Sequence, residues 1–576
     1  VPSQIKRRAL AAAAAGILAG LQANPAGATT TAEEIRLLKE RLRQLEEKLA
    51  RQEKQVRGIA KSPAMPAAGG VPKVCKDKPC PAPEAPPPVF VSFTNGLMVE
   101  SFDKAFSFKI GGRLLADGGV NSQPIPAFAG IPPYFPAHPA SGFANQLGLR
   151  QARLQVEGTA FKDWDYKFQY EFVGPANGLA AGGIRDAYLA WRHFAPEVTF
   201  QAGNFYEPFS LERTNSLLST VFMERPLPID ALTPSRHIGF AAITGGEAPG
   251  LAGIPNWSLK GGIFSTSVED GQPVSPSVTT ATVGGTTVVT GFNPGIPAGN
   301  SAFLNPVPGG HQYWDAAARL TYAPVLSEDT LLHVGGSVRY QKPNDATAAS
   351  DNRVLQPGTI VRAEANILNE GLLGTQPLTC VAATAQLVGQ NCVKNVLNYG
   401  AEISAAYGPF AFQAEYVGAH YERDPALITF FHAPGGTSIN FSGWYAFVSW
   451  YLTGESRAAS YRAYPKEYDR VGTFGQTKIL NPVSAGGWGA WELAARISGI
   501  NLNDGSFLFL QPPGTRSSIQ GGRQTDFTLG LNWYPEMGIR FMANWVNVLQ
   551  YSPNYTRPDL NGIHPQLFVM RAQVNW

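Results

Sequence analysis

The sequence is poor in charge: 15% of its 576 residues are Asp, Glu, Lys or Arg, and only six are Met. With 11% aromatic residues and 61 Gly, this balance suits an all-β protein rather than a helical one. Long apolar runs are missing too. No stretch of 18 or more apolar residues follows the first thirty positions, and the mean hydropathy is −0.11. This excludes a helical membrane protein. It does not exclude a transmembrane barrel, whose lipid-facing and lumen-facing residues average out in any hydropathy window. Catalytic signatures are also absent. The eight His are scattered, with no H-E-x-x-H, no G-x-S-x-G and no paired Cys/His ligand sets. No phosphate-cradling loop occurs, nor any Lys/Arg run of the nucleic-acid kind beyond the N-terminal region. No enzyme activity, metal, cofactor or nucleic-acid partner is therefore expected.

The four cysteines form two close pairs, Cys75/Cys80 and Cys380/Cys392. Export would favour disulfides in both, each closing a small loop. The N-terminus reads as an export signal over residues 1–28. Lys6, Arg7 and Arg8 precede a short apolar core, Ala9 to Leu21, and Ala26-Gly27-Ala28 is a small-x-small cleavage site.

Residues 29–60 hold the one clear helical pattern. Ile35, Leu42, Leu49 and Val56 occupy a positions, and Leu38, Leu45, Gln52 and Ile59 occupy d positions. Glu34–Lys39, Arg41–Glu46 and Lys48–Glu53 are g–e pairs of opposite sign, which a parallel coiled coil satisfies together. Residues 61–94 read as a Pro-rich linker, and residues 95–576 as an outer-membrane β-barrel.

From about residue 106 the hydrophobic period becomes two. Tyr166, Phe168, Tyr170 and Phe172 alternate with Asp165, Lys167, Gln169 and Glu171. At the C-terminus Phe568, Met570, Ala572, Val574 and Trp576 alternate with Val569, Arg571, Gln573 and Asn575. About 16 such segments recur, the even number expected of a transmembrane antiparallel barrel. Short turns such as Lys162-Asp163-Trp164 alternate with long connections at 120–147, 206–235, 266–310, 341–396, 420–440, 454–486 and 500–523. The long connections are expected at the outer end and the short turns in the periplasm.

Parity assigns Lys109, Arg113, Arg153, Lys167, Arg192, Arg319, Arg339, Arg496, Arg540 and Arg571 to the lumen. Two readings stand. One is a cationic track that draws anions into the pore. The other is salt bridging between strands, Arg153 to Glu171 for example. Residues 1–90 hold 15 of the 46 basic and 8 of the 43 acidic residues, so the remainder has a net charge of −4. Any anion preference must then come from local placement. Loop 206–235 is the candidate constriction. Its Leu217, Leu218, Val221, Phe222 and Met223 would pack on the inner wall, bringing Glu207, Glu212, Arg213, Glu224, Arg225 and Arg236 near the pore axis.

Several stretches resemble the phosphate-selective porin O and P family: GLMVESFDKAFSFKIGGRLLADGG at 96–119, LRQARLQVEGTAFKDWDYKFQYEF at 149–172, IRDAYLAWRHF at 184–194 and NWYPEMGIRFMANWVNV at 532–548. The resemblance implies a trimeric outer-membrane barrel that passively conducts small anions such as phosphate. It also implies contact with outer-membrane lipid and lipopolysaccharide, and suits a threefold coiled coil in the periplasm, clamping the trimer or touching peptidoglycan. Family members use an Arg track and a Lys-rich narrow zone, whereas this barrel region has only nine Lys. A structural tether, or a channel specific for sugars or organic acids, are the alternatives.

Overall fold

The computed structural model describes residues 89–93, 96–122, 146–173, 183–195, 198–247, 254–265, 277–283, 286–293, 314–343, 364–365, 372–375, 378, 392–431, 435–464, 471–505, 518–554 and 560–576. The export signal, the coiled coil, Cys75, Cys80 and Cys380 lie outside the described residues. Cys392 is disulfide-bonded.

Sixteen antiparallel strands close into a barrel. The first six are β1 (Ser107–Asn121), β2 (Gln146–Ala160), β3 (Trp164–Glu171), β4 (Gly183–Ala195), β5 (Val198–Tyr206) and β6 (Arg236–Gly246). Next come β7 (Trp257–Phe264), β8 (Trp314–Leu326), β9 (Thr330–Lys342), β10 (Val393–Tyr407) and β11 (Phe410–Arg423). The last five are β12 (Ser438–Tyr451), β13 (Ala490–Asp504), β14 (Ile519–Glu536), β15 (Ile539–Ser552) and β16 (Gln566–Asn575). The seam is β16 against β1, with Arg571 opposite Asp117 and Asn575 opposite Arg113. Trp576 continues the ladder, exchanging backbone hydrogen bonds with Gly112. Its indole lies where a side chain at 112 would stand, 2.5 Å from an ideal Cβ.

A short hairpin, Val89–Ser92 with Leu97–Ser101, pairs with the start of β1. The linker therefore ends earlier than its sequence boundary, since Val89, Phe90 and Val91 follow the last proline and favour extended pairing. Inside connection 266–310, residues 277–283 and 286–293 form a separate hairpin.

The barrel is inside-out. Phe568, Met570, Leu529, Phe541 and Trp444 are exposed, whereas Arg236, Arg339, Arg423, Arg496, Arg540 and Arg571 are among the largest fully buried side chains. A water-soluble sheet reverses this order, because a buried guanidinium costs several kcal/mol unless paired. The outward residues alternate strictly with the inward ones along β16.

One long connection lies at the end opposite to that expected. β12 and β13 are joined by residues 452–489, and strand parity puts this segment at the end of the short turns after β2, β8, β10 and β14. Length alone had assigned it to the outer rim. It turns back into the barrel instead, through a 3-10 turn at Ala458–Ser460 and the paired residues Tyr461–Arg462 and Thr473–Phe474. Tyr461, Ala458 and Phe474 pack there with Leu331, Ala406 and Ala411 of the inner wall.

Candidate functional site: the barrel lumen

Loop 207–235 folds inward. It carries two short helices, α1 (Leu211–Thr214) and α2 (Leu227–Leu232). Phe222 packs edge-on to Phe447 at 5.7 Å, and Val221, Leu227 and Ile229 share a buried cluster with Val417, Tyr445 and Ile500. At the start of α1 the amides of Leu211 and Glu212 donate to the Glu415 carboxylate at 3.1 and 2.7 Å. The start of α1 is thus tied to the wall by two hydrogen bonds.

Most of the inward arginines of β8–β16 grip in-folded segments. Arg571 donates to both Asp117 oxygens and to Glu224, each at 2.6 Å. Arg496 binds Glu364 and the Glu224 carbonyl, with its guanidinium 4.3 Å over the Phe222 ring. Glu364 also accepts from the hydroxyls of Ser498 and Thr528. Arg540 donates to the Val221 carbonyl at 3.0 Å. Arg319 forks onto Glu402 and donates to the carbonyls of Val471 and Gly472, both at 2.9 Å. Arg339 donates to Glu207 and Asp315, both at 2.8 Å.

Within the loop, Arg213 donates to Thr233 and the Ile229 carbonyl, and Arg225 to the carbonyls of Glu212, Arg213 and Asn215. Both had been expected near the pore axis. They face the loop's own backbone and brace it, a direction that one-dimensional pattern does not encode. Glu212 accepts from Gln413 at 2.9 Å. Glu207, His237 and Asp315 each place one ligand-type atom within 4.8 Å of the others. The Arg339 guanidinium already serves both carboxylates as the local cation. Arg339 and His237 hold the Glu207 carboxyl below its ordinary range although burial opposes ionisation.

The wall of β1–β6 is different. Lys109, Arg192 and Arg150 are a quarter or more exposed, at 30%, 25% and 25% of their side chains. Glu157 sits between Lys109 and Lys167, at 3.5 and 3.1 Å. Arg192 meets Asp165 at 2.7 Å. Arg113 reaches Ser216 of the inner loop at 3.3 Å. Deeper in the wall Arg153 pairs with Glu171, and Arg236 forks onto Asp186 at 2.6 and 3.3 Å while stacking on Tyr206 at 3.9 Å. Arg185 lies within electrostatic reach of Arg153, Arg236 and Glu171. Three guanidiniums therefore gather at the long-loop end of this wall.

Two of these cations were hidden from parity. Arg150 is the extra residue of a β-bulge: Leu115 faces Gln151 while Ala116 faces Leu149. The bulge turns Arg150 inward beside Gln151, where it forks onto Glu224 at 2.8 and 3.0 Å. A second bulge, between Phe168 and Tyr170 of β3, lies opposite Arg185 and Asp186.

The closed barrel with an in-folded loop and basic inner wall has a counterpart among known proteins: a model of the phosphate-selective porin O and P family matches residues 140–576. The chain belongs to that family. Porin O of Pseudomonas aeruginosa is 24% identical over 461 residues, covering 80% of this chain and 86% of the relative. A relative from Caulobacter vibrioides is 26% identical over 532 residues, covering 92% and 86%. Among solved structures, OmpF of Salmonella typhi shares 9% identity at a TM-score of 0.40, covering 83% of this chain and all of that one. The outer membrane channel DcaP of Acinetobacter baumannii shares 9% identity at a TM-score of 0.37, covering 83% and 99%. The porin is thus an outer-membrane channel protein, and in such barrels the short turns face the periplasm. Segment 452–489 accordingly enters the lumen from the periplasmic side.

Proposed function

We propose that this porin passes small hydrophilic solutes by diffusion and prefers anions, phosphate-like ones among them. The supporting observation is the cluster of Arg153, Arg185 and Arg236. Arg153 holds Glu171, Arg236 holds Asp186, and Arg185 lies within electrostatic reach of Arg153, Arg236 and Glu171 at the outer end of the lumen. Along β1–β6 basic side chains outnumber the carboxylates. The basic side chains are Lys109, Arg113, Arg150, Arg153, Lys167, Arg185, Arg192 and Arg236, and the carboxylates are Asp117, Glu157, Asp165, Glu171 and Asp186 on the wall and Glu224, which holds Arg150, on the inner loop. In a narrow aqueous lumen with low-dielectric walls such an imbalance raises the local anion concentration and depletes cations. The arginines of β8–β16 play the other part, holding the in-folded segments that narrow the passage.

The experiment is the reversal potential of the purified porin in a planar bilayer under asymmetric KCl. Anion selectivity is expected, reduced in Arg185→Gln. A cation-selective wild-type channel would overturn the reading. The working unit in this proposal is a homotrimer in contact with lipid and lipopolysaccharide, with the heptad segment of residues 29–60 as a parallel periplasmic coil. A protein that folds but carries no current would favour the tether instead.

A further inference from the structure

The inner loop hides nearly all of its charge. Of residues 207–235 only Ser216, Leu218 and Asp230 are not buried. Glu207, Glu212, Arg213, Glu224 and Arg225 are each less than a tenth exposed. Asp230 keeps 36% of its side chain exposed. The single charge that this loop shows to the lumen water is therefore a carboxylate, in a channel whose facing wall is basic.

Its direction follows from the helix that carries it. α2 seats Leu227, Ile229 and Leu232 in one cluster with Val417, Tyr445 and Ile500 of β11–β13. Pro228 rests so closely on Gly443 of β12 that a Cβ added there would stand 2.6 Å from it. The apolar side of α2 is thus spent on that wall, and Asp230 is left on the side away from it. Arg213 stands behind the carboxylate. Its Nη1 lies 3.3 Å from Asp230, and the rest of the guanidinium donates to Thr233 and the Ile229 carbonyl. Arg213 is 3% exposed, so the pair turns its acid end to the water. Across the passage Arg150 of β2, a quarter exposed, is within electrostatic reach of Asp230. Arg113 of β1 reaches Ser216 at 3.3 Å. The two polar residues that the loop exposes therefore stand toward β1 and β2.

We propose that Asp230 is a specificity-determining residue, which lets singly charged anions through the constriction in preference to multiply charged ones. A fixed carboxylate repels a solute in proportion to the solute's charge. At about 6 Å in water-like surroundings it disfavours one negative charge about threefold and two about tenfold. The pair with Arg213 lowers these figures without changing their order, because the acid is the nearer end. The basic wall attracts both classes, and its attraction also grows with charge, so alone it would hold polyanions longest. Asp230 offsets that bias through its field and binds nothing itself. The inference rests on the anion-channel reading above and deepens it: the favoured solutes are small monoanions, and dianions such as sulfate pass less readily.

The test uses the full-length porin in planar bilayers at low ionic strength, with potassium chloride on one side and potassium sulfate on the other. The reversal potential gives the sulfate-to-chloride permeability ratio. The wild type should favour chloride. Asp230→Asn keeps the shape and removes the charge, and should raise the ratio about twofold or more. An unchanged ratio in folded Asp230→Asn overturns the proposal, as does a wild type that passes sulfate more readily than chloride. Asp230→Glu keeps the charge and should keep the wild-type ratio. If it shifts the ratio as far as Asp230→Asn does, the effect belongs to the shape of the loop and the proposal fails. Cation selectivity of the wild type overturns the anion-channel reading instead, so the two failures are distinguishable. Folding of each variant is checked by its heat-dependent mobility in SDS gels. If Asp230→Asn does not fold, Asp230→Ser carries the same expectation and the same refutation.

Discussion

Asp117 and Arg571 face each other across the seam where the first and last strands meet. Arg571 gives Nε to one Asp117 oxygen and Nη2 to the other, both at 2.6 Å. The same Nη2 reaches Glu224 of the inner loop, which in turn accepts the fork of Arg150 on β2. The inner loop is therefore tied to both sides of the closure. Its docking surface is complete only once β16 has paired with β1.

Glu224→Ala should destabilise the folded barrel by about 3 kcal/mol, the lower part of the range for breaking a buried ion pair, because Arg571 keeps Asp117. The readout is the temperature at which the heat-modifiable SDS-gel band converts to the unfolded position. An unchanged conversion temperature would show that the bridge is not structural.

Glu224 also sets an acid limit. Burial alone would raise its pKa, but Arg150 and Arg571 outweigh burial and hold the carboxyl down at about 2. The folded pKa lies below the unfolded one, so the stabilisation is fully present above the ordinary carboxylate range, near 4.5. It is lost as pH falls from there toward about 2. Conversion temperatures of wild type and Glu224→Gln should differ at pH 7 and converge near pH 2. A constant difference across that window would refute the assignment.

Leu529 is exposed on β14, and its neighbour Thr528 is buried inward. Leu529→Arg places a charge on the lipid face and should cost roughly 2–4 kcal/mol near the bilayer midplane. Unfolding in denaturant from lipid vesicles measures this. A cost near zero would mean that this face does not meet hydrocarbon.

Gly112→Val should impair closure, because the new side chain would occupy the place of the Trp576 indole. Folding yield into detergent or lipid should fall, and Gly112→Val combined with Trp576→Ala should recover part of it. A double variant no better than the single one would argue that the contact is incidental.

Much of this architecture was legible because one physical rule, alternation of faces along a strand, acts on every residue of every wall segment. It yielded the strand count and the inward direction of Arg571. It failed where alternation itself fails. Arg150 turns inward only because a bulge inserts one residue opposite β1, and nothing in RQAR announces a bulge. The placement of 452–489 was missed because length was used to choose the rim, although counting strands would have chosen the other. The directions of Arg213 and Arg225 depend on where a 29-residue loop folds back on itself, which is decided by contacts distant in sequence. The Arg153–Glu171 pair is the strand-to-strand bridge that the alternation allows, and Arg185 stands within electrostatic reach of it because of the bulge opposite.

The inner loop and the periplasmic segment touch: the Phe474 amide donates to the Asn215 side chain at 3.0 Å, at the end of α1. One partner hangs from the outer rim and the other from the periplasmic rim. A disturbance of either rim can therefore reach the opposite one through the middle of the channel without deforming the lipid-facing wall. The wall can stay constant to satisfy the membrane while the two inner segments are exchanged to suit a different solute. Substitutions at their meeting point should alter what the channel admits from either side at once.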